Sequence, residues 1–341
     1  MVQTKGTQSL SYKNPPRIMG AASVVGSKEG EGPLGACFDI VSKDDLMGCE
    51  TWEEAESSFV EEAVGKVLRK LAMGPQEIRY MFAGDLLAQS IASSYGVMDY
   101  EIPVFGIYGA CSTSGLGLSL ASMCVAGGFA DKVMAVTSSH FASAEKEFRF
   151  PLDYGSQRPL SASWTVTGSG AFVVGNSTTE GGFQNVAITG ITTGRIVDYG
   201  IKDSMNMGCC MAPAAADTIF HNLQDFGRVP EDYDKIITGD LGSIGQTALI
   251  DLLKQKGYDI SKQHMDCGIE IYDANTQDTH AGGSGCGCAA VTLAGYILKK
   301  IEEGVYKRVL FVPTGALLSK VSYNEGQTVP GIAHGVVIEH T

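Results

Sequence analysis

The sequence predicts an α/β fold of five layers, α/β/α/β/α, made of two similar halves. Three observations predict it. Three blocks recur in the same order along the chain, apolar strands alternate with helices in each half, and a small-residue helix too apolar for a surface stands in each. The first repeated block is Gly74 to Leu87, "GPQEIRYMFAGDLL", which aligns without a gap with Val229 to Gly242, "VPEDYDKIITGDLG". Gly127 to Ser139 then matches Glu303 to Gly315, and Thr167 to Val174 matches Ile332 to Glu339. The turn-rich "NSTTEGGFQN" separates the copies, giving halves 1–180 and 181–341.

Each element follows from its local pattern. In "TWEEAESSFVEEAVGKVLRKLAM", Ala55, Phe59, Ala63, Val67 and Leu71 have the spacing of one helix face, with an acidic face outward. "IRYMFAG" and "PVFGIYG" are short, continuously apolar runs, as expected of fully buried strands in parallel β-α-β units. Ser112 to Ala126 is apolar nearly all round and predicts a buried helix. "KVMAVTSS" and "GAFVVG" complete the first set of strands, and the second set starts near Val186. Two sheets then sandwich two buried helices, with the remaining helices outside.

Composition excludes several classes of function. The chain has 341 residues, 44% of them hydrophobic and 18% charged, with 43 glycines, which describes a compact, turn-rich protein. A formal charge of -13 argues against nucleic acid as a partner, because phosphate binding draws on basic residues. Nine irregularly spaced cysteines suit a reducing compartment. The first 20 residues have no signal-peptide core, and no stretch reaches the ~18 apolar residues of a membrane span. The expectation is a cytoplasmic protein.

Chemistry concentrates at "GACSTS", where a strand meets the buried helix. Unpaired N–H groups, the positive end of the helix dipole, and the side chains of Cys111, Ser112 and Thr113 make a candidate anion site. The same field lowers a thiol pKa, so Cys111 is also a candidate nucleophile. The glycines of "GLGLSLA" lie inside the helix and serve close packing rather than a dinucleotide. Cys286 and Cys288 align with the "GACS" turn and lack zinc-ligand spacing, so no metal site is assigned. In "EKEFRFPLDYGSQRP", Arg149 and Arg158 are the arginines nearest in sequence to the strand end at His140, and a guanidinium suits a planar dicarboxylate, whereas Lys146 is expected to be exposed.

The segments "GPLGACFD", "AGDLL", "GACSTS", "FRFP", "TVTGSGA", "MAPAAADTI", "AGGSGCGC" and "IAHGVV" together resemble the stage V sporulation protein AD family, within the thiolase fold that includes ketoacyl synthases. The resemblance implies a protein that binds dipicolinic acid (pyridine-2,6-dicarboxylate) or its calcium chelate and takes part in its uptake into the developing spore. It also implies a homodimer, peripheral at the inner spore membrane and working with membrane subunits of the dipicolinate channel, and it implies no cofactor.

In condensing enzymes that this chain resembles, a His follows the strand matching "IITGD" and a His or Asn opens the loop matching "GGSGCGC". Here Asp240 and Ser284 stand at those places, and Asp85 is the first-half counterpart of Asp240. A carboxylate beside Cys111 raises the thiol pKa. If Asp85 and Asp240 face one cavity, a cation such as calcium must separate them from an anionic ligand; the alternative is that each caps its own turn. His140 and His334 are the imidazoles within reach of the site, either as a base or as hydrogen-bonded structural residues. The reading that follows is a non-catalytic binding protein whose ligand meets Cys111, Ser112, Thr113, Asp85, Asp240, His140, Arg149, Ser284 and His334. The alternatives are a condensing enzyme or acyltransferase that uses Cys111 as nucleophile, and a scaffold with a vestigial pocket.

Overall fold

A computed structural model of the chain describes residues 3–148 and 157–341. In the first half, β1 (Arg17–Val25) leads through a long loop to α1 (Trp52–Lys70), β2 (Tyr80–Gly84), α2 (Ile91–Val97), β3 (Val104–Gly106), α3 (Thr113–Ala126), β4 (Lys132–Ser139), α4 (Phe141–Phe148) and β5 (Gly168–Gly175). The second half runs β6 (Val186–Thr192), α5 (Met207–Phe226), β7 (Lys235–Thr238), α6 (Gly242–Gln255), β8 (His264–Asp266), α7 (Cys286–Thr292), β9 (Arg308–Val312) and β10 (Gly335–His340). The helix begun by α7 continues through a wider turn at Leu293–Ile297 to Glu302.

The first sheet has the order β1-β5-β4-β2-β3 and the second β6-β10-β9-β7-β8, so each strand of one has its counterpart in the other. The two sheets join edge to edge where Ala187 pairs with Arg17. This is the layered α/β arrangement expected, with one correction: β5 and β10 run antiparallel to both neighbours in their sheets. Each follows its predecessor by a connection that reverses direction, so the parallel β-α-β units are confined to β2, β3 and β4 and their copies, apart from short parallel pairings such as β1 with Ile40–Val41.

α1 lays Phe59, Val60, Ala63, Val64 and Val67 on the outer face of the first sheet. Its start is fixed by a capping box, in which Thr51 accepts from the Glu54 amide and the Glu54 carboxylate accepts from the Thr51 amide. α5 and α6 cover the second sheet. Between the sheets lie α3 and α7, with α7 packed on β5 and β4 of the opposite half. The glycines of α3 allow that fit: a Cβ on Gly115 would lie 2.9 Å from the His334 carbonyl oxygen.

A second correction concerns "PVFGIYG". β3 is the edge strand of its sheet, and Val104 and Phe105 are 45% and 52% exposed. Its apolar run does not signal burial within this chain. Among the described residues, no helix is long and apolar enough to cross a membrane.

Candidate functional site

After β3 the chain enters the turn that delivers Cys111 to the start of α3. Ala110 takes the left-handed conformation, φ 49°, which costs a residue with a Cβ about 1 kcal/mol. Two hydroxyls hold the turn. Ser112 Oγ donates to the Gly109 carbonyl at 2.6 Å, and Thr113 Oγ1 donates to the Ala110 carbonyl at 2.6 Å while accepting from the Gly109 amide at 3.1 Å. The amides of Ser112 and Thr113 bond to those same two carbonyls. Ser112 and Thr113 are fully buried and build the turn, because the carbonyls of a tight turn lie closer to their hydroxyls than any ligand could.

Cys111, 6% exposed, meets Asp240 at the exit of β7. Asp240 is a buried acceptor for three donors, Thr314 Oγ1 at 2.7 Å, Ser284 Oγ at 2.9 Å and the Gly285 amide at 3.0 Å, and it lies beside the Cys111 thiol. Burial pushes the Asp240 carboxyl up, and these donors pull against it. Burial pushes the Cys111 thiol well up, and the neighbouring Asp240 adds to the shift. The helix dipole is outweighed, and Cys111 is held as a thiol. Brief alkylation of the native protein near neutral pH is therefore expected to label the partly exposed Cys37, Cys49 and Cys209 before Cys111, read by peptide mass spectrometry. Labelling of Cys111 among the first would contradict this account.

Cys111 lines a cavity of about 40 Å³ together with Leu86, Tyr108, Glu145, Phe148, Ser163, Thr165 and Ser284. Ser163 precedes and Thr165 ends a two-residue strand, Trp164–Thr165, that pairs with Gly283–Ser284 and brings the halves together. The cavity shares Leu86, Tyr108, Phe148 and Leu318 with an outer groove of about 550 Å³, where Lys320 and Glu147 supply the charges. The inner cavity has room for a few waters, whereas the groove has the size of a small-molecule site.

Of the residues singled out in the sequence, Cys111 and Ser284 line the cavity and Asp240 backs them. Asp85 lies elsewhere. Its oxygens accept from the Leu87 and Ser93 amides, both at 2.8 Å, so it caps the turn after β2. Asp85 and Asp240 therefore do not face one cavity, and no cation is needed to part them: Asp85 is held by two amides of the first half, and Asp240 by donors of the second half beside Cys111 of the first.

Neither histidine reaches the site. His140 accepts from the Ala142 amide through Nδ1 at 3.2 Å and so donates from Nε2 to the Asp45 carbonyl at 2.8 Å, and burial lowers its pKa. His334 accepts from the Gly194 amide at 3.3 Å and is pushed down to about 4 by burial. Both are held by backbone, in keeping with a structural role. Arg158 turns away to Asp278, at 3.0 Å, and lies over the Trp164 ring. Arg149 lies outside the described residues.

Sequence reasoning missed Glu145, Phe148, Thr314 and Lys320. Thr314 stands in the repeat at the place of Ser138, which was a usable signal. The others come from segments without a counterpart in the second half or from loops that approach only through the fold.

A model of the stage V sporulation protein AD family matches residues 6–339. Stage V sporulation protein AD of Bacillus subtilis (strain 168) is 44% identical over 334 residues, covering 98% of this chain and 97% of that protein. Among solved structures, 3-oxoacyl-[acyl-carrier-protein] synthase III of Aquifex aeolicus VF5 superimposes with a TM-score of 0.57 at 14% identity, over 95% of this chain and all of that one. Cerulenin-bound OleA of Xanthomonas campestris gives 0.60 at 16% identity, over 96% and 97% of the two chains. At these identities the likeness is one of fold, which is thiolase-like.

Proposed function

The chain belongs to the stage V sporulation protein AD family, and from that premise we propose that it binds dipicolinic acid without catalysis and serves its uptake into the developing spore. The observation that carries the non-catalytic part is the partner of Cys111. Acyl transfer needs a thiolate and a base to take its proton. Cys111 instead lies beside the buried carboxylate of Asp240, and with burial this holds its pKa well up, while no imidazole lines the cavity among the described residues.

The outer groove supports the binding part. A planar diacid is too large for the inner cavity but fits the groove, with one carboxylate directed toward the space above Cys111. Lys320 is the one cation among the described lining residues, set against Glu145 and Glu147. That balance favours a ligand that brings its own cation, so the calcium chelate is expected to bind more tightly than the free diacid.

The exposed edge of β3, carrying Val104 and Phe105, supports pairing with a second copy, since an open apolar edge is stable only when covered. Attachment at the inner spore membrane would then run through the membrane subunits of the channel, as a net charge of -13 disfavours an anionic lipid surface.

Calorimetric titration with dipicolinate, with and without calcium, tests this reading beside mass spectrometry of Cys111 after incubation with acyl-CoA. Cys111→Ser is expected to keep dipicolinate affinity within a few-fold, and Cys111 is expected to stay unacylated. Stoichiometric acylation of Cys111, lost in the Ser variant, would establish the condensing-enzyme reading instead. Neither binding nor acylation would leave a scaffold.

A further inference from the structure

Behind the cavity wall lies a carboxyl that the binding reading does not use. Glu56 projects from α1 into the protein and is 1% exposed. Its Oε1 accepts from Ser138 Oγ at 2.9 Å and its Oε2 from Ser143 Oγ at 2.6 Å. Ser143 belongs to α4, whose Ala144, Glu145 and Phe148 line the cavity. The Ser138 carbonyl accepts the thiol of Cys286 at 3.0 Å, at the start of α7. One side chain thus joins α1 to the wall helix and, through Ser138, to the opposite half.

The charges around it make this carboxyl sensitive to protons. α1 contributes Glu53, which is paired with Lys146 of α4 at 2.6 Å. The exit of β2 contributes the buried Asp85, α7 contributes the Cys286 thiol, and the β4–α4 junction contributes His140, whose pKa burial lowers. Among the described residues no cation is hydrogen-bonded to Glu56, and two buried carboxyls in reach of one another cannot both ionise cheaply.

Asp85 accepts two backbone N–H bonds, which favour its anion. Glu56 accepts only hydroxyls, and these can reverse. Ser143 Oγ is also 3.1 Å from the His140 carbonyl, so it can turn its proton there and accept from a protonated Glu56. Burial, followed by the Asp85 charge, raises Glu56 to about 8.

We propose that protonated Glu56 is a positioning residue of the binding site: it holds α4 against the cavity, and loss of its proton loosens that wall and weakens binding of an anion. The binding half of this statement rests on the dipicolinate reading, and the α4 half does not. The sign for stability follows. The folded-state value lies above the unfolded one, so the native state holds the extra proton between about 4.5 and about 8, and this contribution is lost as pH rises through that interval.

The test is hydrogen–deuterium exchange of residues 141–148 at pH 6.5 and pH 9, corrected for intrinsic rates, in wild type, Glu56→Gln and Ser143→Ala, with dipicolinate titrations alongside. Wild type is expected to exchange in α4 about tenfold faster at pH 9, and to bind about tenfold more weakly, the response of a group that titrates between the two. Glu56→Gln, whose amide accepts from one serine and donates to the other, is expected to be protected and to bind alike at both pH values. Ser143→Ala, which leaves Glu56 in place, is expected to exchange fast in α4 at both.

A wild-type α4 indifferent to pH, the same pH response in Glu56→Gln, or wild-type behaviour in Ser143→Ala would each overturn the inference. Should wild type bind dipicolinate at no pH, the proposed function falls, and the exchange data still decide the role of Glu56. If Glu56→Gln does not fold, Ser143→Ala decides.

Discussion

Asp240→Ala is expected to cost about 3–5 kcal/mol of folding stability, because it strands several buried donors at once. Thr314 Oγ1, Ser284 Oγ and the Gly285 amide all end on this carboxylate, beside the Cys111 thiol, in a place that water does not reach. The three donors come from two separate parts of the chain, so no single local rearrangement can satisfy them. Asp240→Asn keeps one acceptor oxygen and replaces the other with donors, and its expected loss is smaller. Chemical denaturation measures both, and a loss below about 1 kcal/mol in the Ala variant would show that Asp240 does not hold the two halves together at the site.

Gly315→Val is expected to destabilise the protein by about 3 kcal/mol and to abolish binding at the Cys111 end of the groove. Gly315 lies in the short strand Thr314–Ala316, which the second half presses against the first-half turn. A Cβ at Gly315 would stand 2.3 Å from the Gly109 carbonyl oxygen and 3.1 Å from the Ser112 amide nitrogen. Both atoms belong to the hydrogen-bonded turn that positions Cys111, so relief of the overlap must move the site. Gly106→Ala is the control: a Cβ there meets nothing within 4 Å, and its φ is not in the left-handed region, so little change is expected. Wild-type stability and titration curves in Gly315→Val would sink the claim that the second half braces the turn.

Glu56 shows how a legible signal was overlooked. It precedes Phe59 and Ala63 by three and seven residues, which places it on the buried face of α1 by helical spacing alone. Reading the helix as acidic outside treated its glutamates as one class. A carboxylate on an apolar stripe is a departure from pattern, and it pointed to the buried serines of β4 and α4. Arg158 is the opposite case. Its nearness in sequence to His140 suggested a ligand contact, yet its direction is set by Asp278 and Trp164, more than a hundred and by six positions away respectively.

The sequence by itself determined the duplication, the elements and the burial of α3, which follow from patterns that repeat within a short window or between the two copies, and side-chain periodicity records them directly. The placing of Asp240 and Ser284 beside Cys111 came instead from the resemblance to condensing enzymes, whose site positions they occupy. Only the tertiary structure decided that β3 lies at an edge, that β5 and β10 run antiparallel, that Asp85 and Asp240 serve separate turns, and that Ser112 and Thr113 are consumed by their own carbonyls. An apolar run states that a segment avoids water but not which neighbour covers it. A polar side chain states what it can bond but not which donor or acceptor the folded chain brings nearest, and at this site those nearest partners, Asp240 above all, push the Cys111 thiol pKa upward.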